Sequence, residues 1–433
     1  MNQATSTNCI FTVTDLKQVK DKVLNWANRF STFCFLDNHQ YNLRSHSLEC
    51  IAAVGVIDSI EAGAGNSLQR LQQFLNADRR WLFGHLGYDL KNEIENVETT
   101  QPDLVQFPDL FFFQPEIIVR FDNSRLTIES KSEDEEKIFD AIMTCDCDNK
   151  IKTYPANIRN RYEKKEYVAV VEKLREHILR GDCYEINFCQ EFFAENSIID
   201  PVAIYSNLSS LSPNPFSAFY KLEDKYLLCA SPERFLKKLG RKILSQPIKG
   251  TARRMSAAVE DIKSRNELQQ STKDRSENVM IVDLVRNDLS KICTEGSVTV
   301  DELFEVYSFP QVHQMISTIS GELSEHIRFS DIIRATFPMG SMTGAPKKKV
   351  LELIARYERT KRGIFSGALG YITPEGDFDF NVVIRSIMYN SAARYLSFQA
   401  GSAITFYSDP EKEWEECLLK VASIRKVLEA TAE

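Results

Sequence analysis

Apolar residues in the first 130 positions come in short runs that are separated by Gly, Asn, Asp and Pro. Three such runs are 33–36 (FCFL), 51–54 (IAAV) and 111–113 (FFF). Short apolar runs bounded by turn-forming residues are typical of buried β-strands. The pattern predicts a β-rich amino-terminal region over 1–150, whose acidic stretch at 131–152 is typical of a linker or a surface excursion.

The second region, 151–433, begins with a predicted helix that Gly181 is suited to end. Its apolar residues lie three or four positions apart: Tyr167, Val171, Leu174 and Ile178. The segment YEINFC that follows alternates apolar and polar residues, as a β-strand does. Glu185 and Asn187 therefore share one face of the predicted strand, which can be the face of a cavity.

Two longer helices are predicted nearer the carboxyl end. A polar segment from about 256 to 292 has the composition of one long exposed helix. The last segment has the apolar stripe of a helix that packs by one face. The residues of that stripe are Trp414, Cys417, Leu418, Val421, Ile424 and Leu428.

Length, composition and net charge exclude several classes of protein. The 433 residues suffice for two or three domains, or for one large unit with a deep active site. Hydrophobic residues make up 43% and charged residues 26%, which excludes fibrous and disordered classes. The formal net charge of −8 argues against general nucleic-acid binding, and an anionic substrate would need a local cation.

Cysteine usage and the lack of targeting signals bear on the compartment. The ten cysteines include no CxxC pair, which argues against a zinc site and against a disulfide framework. Residues 1–13 lack the pattern of a signal peptide, and no stretch approaches the ~20 apolar residues of a membrane-spanning helix. We expect a soluble, cytoplasmic protein with reduced thiols.

Four carboxylates form two pairs at helical spacing. Asp274 and Glu277 lie three residues apart in the polar segment, and Glu413 and Glu416 lie three apart in the last helix. Such a pair shares one helix face, so two facing pairs would form an oxygen-rich cage suited to Mg²⁺. Acidic residues at this spacing more often form a solvated face. Because Glu416 borders the apolar stripe, we expect at least one carboxylate to turn inward.

Two further residues are candidates for covalent and acid–base chemistry. Lys249 follows a short apolar strand and precedes Gly250 and Thr251. A cavity there would desolvate the amine and favour its neutral, nucleophilic form, although a lysine at a strand end is more often an exposed charge. Glu233 lies in the turn SPERF, where burial would raise its pKa and suit it to general acid catalysis. Pairing with Arg234 would instead lower that pKa.

A glycine-rich loop, FPMGSMTGAPK at 337–347, leads into another predicted helix. Free backbone N–H groups at such a helix entry bind anions. The loop lacks the spacing of a P-loop, so a carboxylate suits it as well as a phosphate. Glycine-rich helix entries are often only tight turns, and the loop alone does not identify a ligand.

Together these segments resemble the family of chorismate-utilising enzymes. Seven ordered stretches between about 160 and 430 carry the resemblance: GDCY (181–184), SPERF (231–235), PIKGT (247–251), DRSENVMIVDLVRND (274–288), GSMTGAPK (340–347), RGIFSG (362–367) and AGS (400–402). Residues 81–89 (WLFGHLGYD) resemble the family's amino-terminal region more loosely. The resemblance implies one large α/β (α+β) unit in which two antiparallel sheets pack together, with helices outside and chorismate in the central cleft.

The resemblance also implies roles for the candidate residues. Glu277 and Glu416 would hold Mg²⁺, with Asp274 and Glu413 nearby, and the ion would bind the ring carboxylate of chorismate. Glu233 would protonate the departing C4 hydroxyl. Arg385 would pair with the enolpyruvyl carboxylate, which suits a guanidinium fork. The other substrate contacts would come from Thr251, Ser341, Thr343, Gly344, Ala400, Gly401 and Lys420.

Lys249 indicates which reaction of the family this chain carries out. Members that make anthranilate usually have alanine there, which leaves room for ammonia at C2, whereas members that aminate C4 typically have lysine. The implied mechanism is covalent: the amine adds at C2 as the C4 hydroxyl leaves, and ammonia then attacks C4 and expels the lysine. Isochorismate-forming and salicylate-forming members usually have a lysine base at the position of Glu185, which disfavours them.

Two positions depart from the family's pattern. The usual Val-x-His motif is Val312-His313-Gln314 here, so glutamine stands at the histidine position. Phe365 replaces a tyrosine often found near the substrate carboxylate. Neither change removes Lys249 or a proposed metal ligand, so both bear on substrate contacts rather than on the reaction class.

The predicted function is therefore amination of chorismate at C4, on the route to p-aminobenzoate and folate. The chain has no Gly-x-Cys-x-Gly nucleophile motif, so the resemblance implies ammonia from a separate glutamine amidotransferase subunit or from solution. Two alternatives stay open. One is synthesis of anthranilate and pyruvate, and the other is chorismate binding without catalysis, which the retention of Glu233, Lys249, Glu277 and Glu416 disfavours.

Overall fold

Alternating and continuous apolar runs form 22 strands in the part of the chain that the computed structural model describes, residues 9–41, 48–147, 156–309 and 312–430. The strands are β1 (Cys9–Thr12), β2 (Thr32–Asp37), β3 (Cys50–Val54), β4 (Asp58–Ala62), β5 (Leu82–Leu86), β6 (Leu110–Gln114), β7 (Ile117–Asp122), β8 (Arg125–Ser130), β9 (Arg159–Asn160), β10 (Glu185–Ala194), β11 (Phe216–Leu222), β12 (Lys225–Ser231), β13 (Arg234–Leu239), β14 (Lys242–Gln246), β15 (Ile248–Arg253), β16 (Thr299–Ser308), β17 (Val312–Glu322), β18 (Gly344–Ala345), β19 (Ala368–Ile372), β20 (Phe378–Val382), β21 (Ser386–Asn390) and β22 (Tyr395–Ile404).

Eleven helices lie in the same described ranges. They are α1 (Leu16–Ala27), α2 (Ser67–Ala77), α3 (Lys91–Glu95), α4 (Glu135–Met143), α5 (Lys164–Leu179), α6 (Pro201–Leu211), α7 (Ala258–Gln270), α8 (Thr272–Ser290), α9 (Phe329–Thr336), α10 (Lys347–Tyr357) and α11 (Pro410–Ala430). None of these helices is long and apolar enough to cross a bilayer.

The strands form two antiparallel sheets. The larger sheet has twelve strands in the order β1-β8-β7-β3-β2-β11-β12-β21-β22-β10-β18, with β9 beside β10. The smaller sheet has ten strands in the order β15-β17-β14-β13-β20-β19-β5-β6-β4, with β16 beside β17. Both sheets take strands from the amino-terminal and the carboxyl-terminal parts of the chain. The predicted two-sheet α+β fold is confirmed.

The main core lies between the two sheets. It joins Ala53 and Tyr220 of the larger sheet to Phe83, Leu369 and Phe380 of the smaller one. Helices α1, α6 and α11 cover the outer face of the larger sheet through a second apolar cluster, and α8 and α9 pack on the smaller sheet. Burial of both sheet faces explains why most strands are apolar on both sides.

The polar segment 256–292 forms two helices, and the prediction of one long helix was wrong. Helix α7 ends at Gln270, and α8 begins at Thr272. Between them Ser271 adopts an extended conformation, and its hydroxyl accepts a hydrogen bond from the N–H of Asp274 at 3.3 Å. A serine in this position caps a new helix, although the polar composition on either side is unchanged.

The described part of the acidic stretch, residues 131–147, contains a helix that packs on the fold. Asp134 caps α4 by accepting a hydrogen bond from the N–H of Glu136. Ile138 and Ile142 of this helix are buried in the cluster outside the larger sheet. Residues 148–152 of the predicted excursion lie outside the described residues.

Arg362 fixes the glycine-rich loop to the larger sheet. Its side chain is 1% exposed and pairs with both carboxylate oxygens of Glu358, at 2.6 and 3.0 Å. The same guanidinium donates to the carbonyl of Met342 at 2.7 Å and to that of Asn187, in β10, at 2.8 Å. The backbone of the loop is thus held at one place by a buried, fully paired cation.

We expect Arg362→Met to lower the free energy of unfolding by about 3–5 kcal/mol, because Glu358 would keep a buried charge without its partner. Urea denaturation measures this loss. Arg359→Met is the matched control, since the ion pair of Arg359 with Glu166 is largely exposed and should contribute much less to stability. Equal losses in the two variants would contradict this account of the loop.

Candidate active site

A buried ion pair joins the two sheets at the centre of the candidate site. Lys249 lies on β15 of the smaller sheet, and Glu185 begins β10 of the larger sheet. The lysine Nζ donates to Glu185 Oε1 at 3.0 Å, and the two side chains are only 11% and 2% exposed. Both residues stand out in the sequence, but their contact is not predictable from it.

A glycine at the next position shapes the strand around Lys249. The register between β15 and β17 shifts between Ile248 and Thr251, which is the mark of a β-bulge. Gly250 in this bulge has φ +89°, and a Cβ there would lie 3.0 Å from both Asp274 Oδ1 and the Leu268 side chain. Only glycine combines this backbone conformation with such close packing, so the PIKGT sequence positions Lys249.

The charge of Lys249 differs from the expectation. Burial lowers the pKa of its amine, as predicted, but the carboxylates of Glu185, Glu277 and Glu233 outweigh burial and raise the pKa above its ordinary value. The amine is therefore held protonated in this structure. The prediction of a neutral amine was wrong because it counted burial without the acidic side chains that the fold brings around it.

Glu233 has the environment of a carboxylic acid rather than of a carboxylate. It is buried, and burial raises its pKa to about 7, with partial offset from the Ser341 hydroxyl, Lys249 and Arg385. The guanidinium of Arg234, the alternative partner, binds Asp379 at 2.9 Å and Gln246. A carboxyl group with this pKa can hold a proton near neutral pH and release it to a leaving group.

The four candidate metal-binding carboxylates lie on α8 and α11. Glu277 is 12% exposed and Glu416 is 37% exposed, and Lys273 Nζ lies 3.8 Å from the first and 3.9 Å from the second. The carboxylate that turns inward is Glu413, which is 2% exposed. Asp274 packs against Gly250, beside the Lys249 backbone.

The donor chemistry of these carboxylates suits a magnesium ion that takes its other ligands from outside the protein. No three acidic, histidine or cysteine side chains in the described ranges are grouped closely enough to hold a metal by themselves. Mg²⁺ commonly takes only one or two protein carboxylates, and water and substrate oxygens complete its octahedron. Glu277 and Glu416 both lie close to one cation, the ammonium of Lys273. Glu413 Oε2 is buried without a hydrogen-bond partner in the described structure.

The glycine-rich loop packs against the start of β10. Asn187 donates through Nδ2 to the carbonyl of Ser341 at 2.9 Å and through its backbone N–H to the carbonyl of Thr343 at 2.7 Å. Gly344 has φ +143°, and a Cβ there would lie 2.0 Å from the carbonyl of Glu185. The Thr343 hydroxyl is fully buried and donates to the Met339 carbonyl.

The remaining predicted residues lie on β15, β22 and α11 and just before β21. Lys420 donates to the carbonyl of Gly401 at 2.7 Å and pairs with Glu416 at 2.8 Å, which connects β22 to the metal-binding candidates. Ala400, the neighbour of Gly401, is buried. Arg385 is half-buried, and its charge acts on Glu233. Thr251 is exposed on β15.

Gln314, at the position where the family pattern has histidine, is fully buried. Neither of its amide atoms has a hydrogen-bond partner within the described part of the chain. Gln314 pairs with Thr251 across β15 and β17, so the two side chains share a face of the smaller sheet. The neighbouring His313 points the other way and binds Asp261 of α7 at 3.1 Å. Only the departure from the family pattern signalled this residue.

Comparison with known proteins identifies the class to which this fold and site belong. Residues 25–426 match the family model described as chorismate binding enzyme, and the chain belongs to that family. It is 35% identical over 349 residues to aminodeoxychorismate synthase component 1 of Escherichia coli, a match that covers 80% of this chain and 76% of the relative. It is 31% identical over 369 residues to an anthranilate synthase component I-like protein of Synechocystis, covering 84% and 76%.

The solved structures agree on the fold. Anthranilate synthase component I of Streptococcus pneumoniae superimposes with a TM-score of 0.76 over 89% of this chain and 94% of that one, at 24% sequence identity. The expected architecture of the family is thus confirmed by structural likeness as well as by sequence.

The environment of Glu233 predicts a pH-dependent stability difference. An acid whose pKa rises from its usual value to about 7 on folding destabilises the native state as it ionises. We therefore compare the free energy of unfolding of Glu233→Gln with that of the natural chain. As the pH rises from about 4 to about 8, we expect this difference to grow in favour of the variant by roughly 3 kcal/mol, with most of the change complete by about pH 7. Urea denaturation across this range measures it. Two stability profiles that stay parallel would contradict the burial of an ionisable Glu233.

Proposed function

We propose that this chain aminates chorismate at C4 to give 4-amino-4-deoxychorismate, as the chorismate-converting component of an aminodeoxychorismate synthase. The observation that carries the proposal is the position of the buried Lys249 in a protein of this family. The carboxylate of Glu185 lies at hydrogen-bond distance from its amine, and the protonatable carboxyl group of Glu233 is nearby. The name of the Escherichia coli relative supports the same reaction.

Lys249 acts as the nucleophile once it has lost a proton. Glu185 accepts that proton through the existing 3.0 Å hydrogen bond, and its second oxygen is buried without a partner in the described ranges. The neutral amine forms a bond to C2 while the ring double bonds shift and the C4–oxygen bond breaks. Glu233 gives its proton to the departing hydroxyl, which leaves as water.

Ammonia completes the reaction by reversing the shift. It forms a bond to C4, the double bonds return, and the C2–nitrogen bond breaks so that its electrons return to Lys249. The added ammonia gives one proton to Glu233, and Glu185 returns its proton to Lys249, so that all three groups regain their starting charges. The temporary bond at C2 blocks that carbon, which explains why nitrogen ends at C4 and the enolpyruvyl group is retained.

Substrate orientation depends on charge complementarity. Bound by Glu277 and Glu416, Mg²⁺ would supply positive charge for the ring carboxylate. Arg385 binds the enolpyruvyl carboxylate. Ser341, Gly344 and Gly401 would supply the remaining substrate contacts. The Thr343 hydroxyl donates its proton within the loop, so its contribution is to hold the loop in shape.

We further propose a separate glutamine amidotransferase subunit as the ammonia source. The designation component 1 of the Escherichia coli relative implies a second component. All ten cysteines are free thiols, eight of them buried outright, which supports a reducing compartment such as the cytoplasm.

Anthranilate synthesis is the second candidate, because the Synechocystis relative and the Streptococcus pneumoniae structure bear that name. The two reactions give different products from the same reagents. Incubation of the purified chain with chorismate, Mg²⁺ and ammonium at mildly alkaline pH, followed by chromatography and mass spectrometry, should yield aminodeoxychorismate without free pyruvate. Anthranilate with an equivalent of pyruvate would contradict the proposal.

A pair of Lys249 variants separates its covalent role from its structural one. Lys249→Arg keeps a cation beside Glu185 but has no nucleophilic amine, and Lys249→Ala removes both. We expect each variant to lose C4 amination by about 100-fold or more, with chorismate binding retained best in Lys249→Arg. Steady-state rates and equilibrium binding measure the two effects. Amination by Lys249→Arg at the rate of the natural chain would exclude the covalent step.

A further inference from the structure

Lys273 connects the carboxylates of the two helices that carry the metal-binding candidates. Its amine lies 3.8 Å from Glu277 Oε1, on its own helix α8, and 3.9 Å from Glu416 Oε2, on α11. The other oxygen of Glu416 is bound by Lys420, which comes from the same helix as Glu416. Lys273 is therefore the contact that joins the acidic face of α8 to that of α11.

The two carboxylates hold the ammonium of Lys273 only loosely. Both distances are those of ion pairs rather than of hydrogen bonds, and the lysine side chain is 60% exposed. Partial burial lowers the pKa of Lys273, but Glu277, Glu413 and Glu416 outweigh it and raise the pKa, so the amine stays charged. A long, exposed lysine side chain can turn into water without leaving a buried charge behind.

Lys273 and a metal ion would use the same oxygen atoms. Two carboxylates held close together on separate helices repel each other unless a cation lies between them. The ammonium provides that cation at Glu277 Oε1 and Glu416 Oε2. A divalent ion bound by these two carboxylates would remove the repulsion more effectively and would repel the ammonium from the same place.

We propose that Lys273 is a built-in counter-ion that holds α8 and α11 together in the metal-free chain and is displaced when Mg²⁺ binds. This inference rests on the metal site of the proposed function. Lys273 then weakens metal binding in the absence of chorismate, since the ion must first displace it. The carboxylate of chorismate adds a ligand that the lysine cannot replace, so metal and substrate bind more tightly together than either does alone.

Metal binding to the full chain tests the inference without reference to activity. Free Mn²⁺, followed by electron paramagnetic resonance, reports binding at a Mg²⁺ site, with Mg²⁺ as competitor. Without chorismate, we expect Lys273→Met to bind Mn²⁺ about 3–10-fold more tightly than the natural chain, and Lys273→Arg to bind it as the natural chain does. In excess chelator, the melting temperature of Lys273→Met should be lower than that of the natural chain. Saturating Mg²⁺ should abolish this difference in melting temperature.

A matched control is available on the neighbouring helix. Lys263 of α7 pairs with Glu267 at the same i, i+4 spacing and the same 3.8 Å distance, but away from the carboxylates of α11. Lys263→Met should leave both Mn²⁺ affinity and metal-free melting unchanged. Unchanged or weaker Mn²⁺ binding in Lys273→Met would overturn the inference, as would an equal effect in Lys263→Met.

A Glu277→Gln variant distinguishes failure of the inference from failure of the metal site. This variant should bind Mn²⁺ much more weakly than the natural chain. If the natural chain binds no Mn²⁺ with or without chorismate, or if Glu277→Gln binds it equally well, the metal site of the proposed function is wrong and the inference falls with it. If Glu277→Gln loses binding and Lys273→Met gains none, only the counter-ion role is wrong.

Discussion

The ion pair between Lys249 and Glu185 is the constraint on which the rest of the cleft depends. Removing two charges from water costs several kcal/mol for each ion, and only close pairing within a fixed frame offsets that cost. The frame is visible in the backbone: Gly250 allows β15 to bulge against α8, and Gly344 allows the loop to reach the carbonyl of Glu185. Each glycine permits a close approach that a side chain would prevent. Together they allow β15 and β10, one strand from each sheet, to lie close enough for Lys249 to donate a hydrogen bond to Glu185.

The acidic residues around this pair differ in how readily they hold a proton. Burial raises the pKa of Glu233 to about 7, so it can carry a proton. Burial also acts on Glu416, but Lys420 and Lys273 outweigh it and lower that pKa, so Glu416 stays an anion suited to a cation. Burial raises the pKa of Glu277 to about 7 as well, although Glu277 is a metal-binding candidate. Carboxyl groups of one type thus differ in charge within one cleft because of their neighbours.

The fold could be predicted from the sequence, because strand periodicity and ordered motifs are local signals, and the same motifs named the residues of the candidate site. The failures involve contacts that join distant segments. Lys249 was expected to be neutral, since nothing near PIKGT shows that Glu185, 64 residues earlier, lies opposite it. Residues 256–292 were expected to form one helix, because Ser271 is one more polar residue in a polar run until its hydroxyl caps α8. The contact of Lys273 with Glu416 was not predicted for the same reason, because Glu416 lies on the last helix, far along the chain.

The central claim is that nitrogen is directed to C4 by a temporary bond between Lys249 and the substrate. Intact-protein mass spectrometry of the chain incubated with chorismate and Mg²⁺, without ammonia, tests this claim most directly. The account predicts a species heavier than the chain by one chorismate less one water, located by peptide mapping at Lys249, and its disappearance on addition of ammonium with release of aminodeoxychorismate. Efficient amination with no such species, or with an adduct on another residue, would contradict the account.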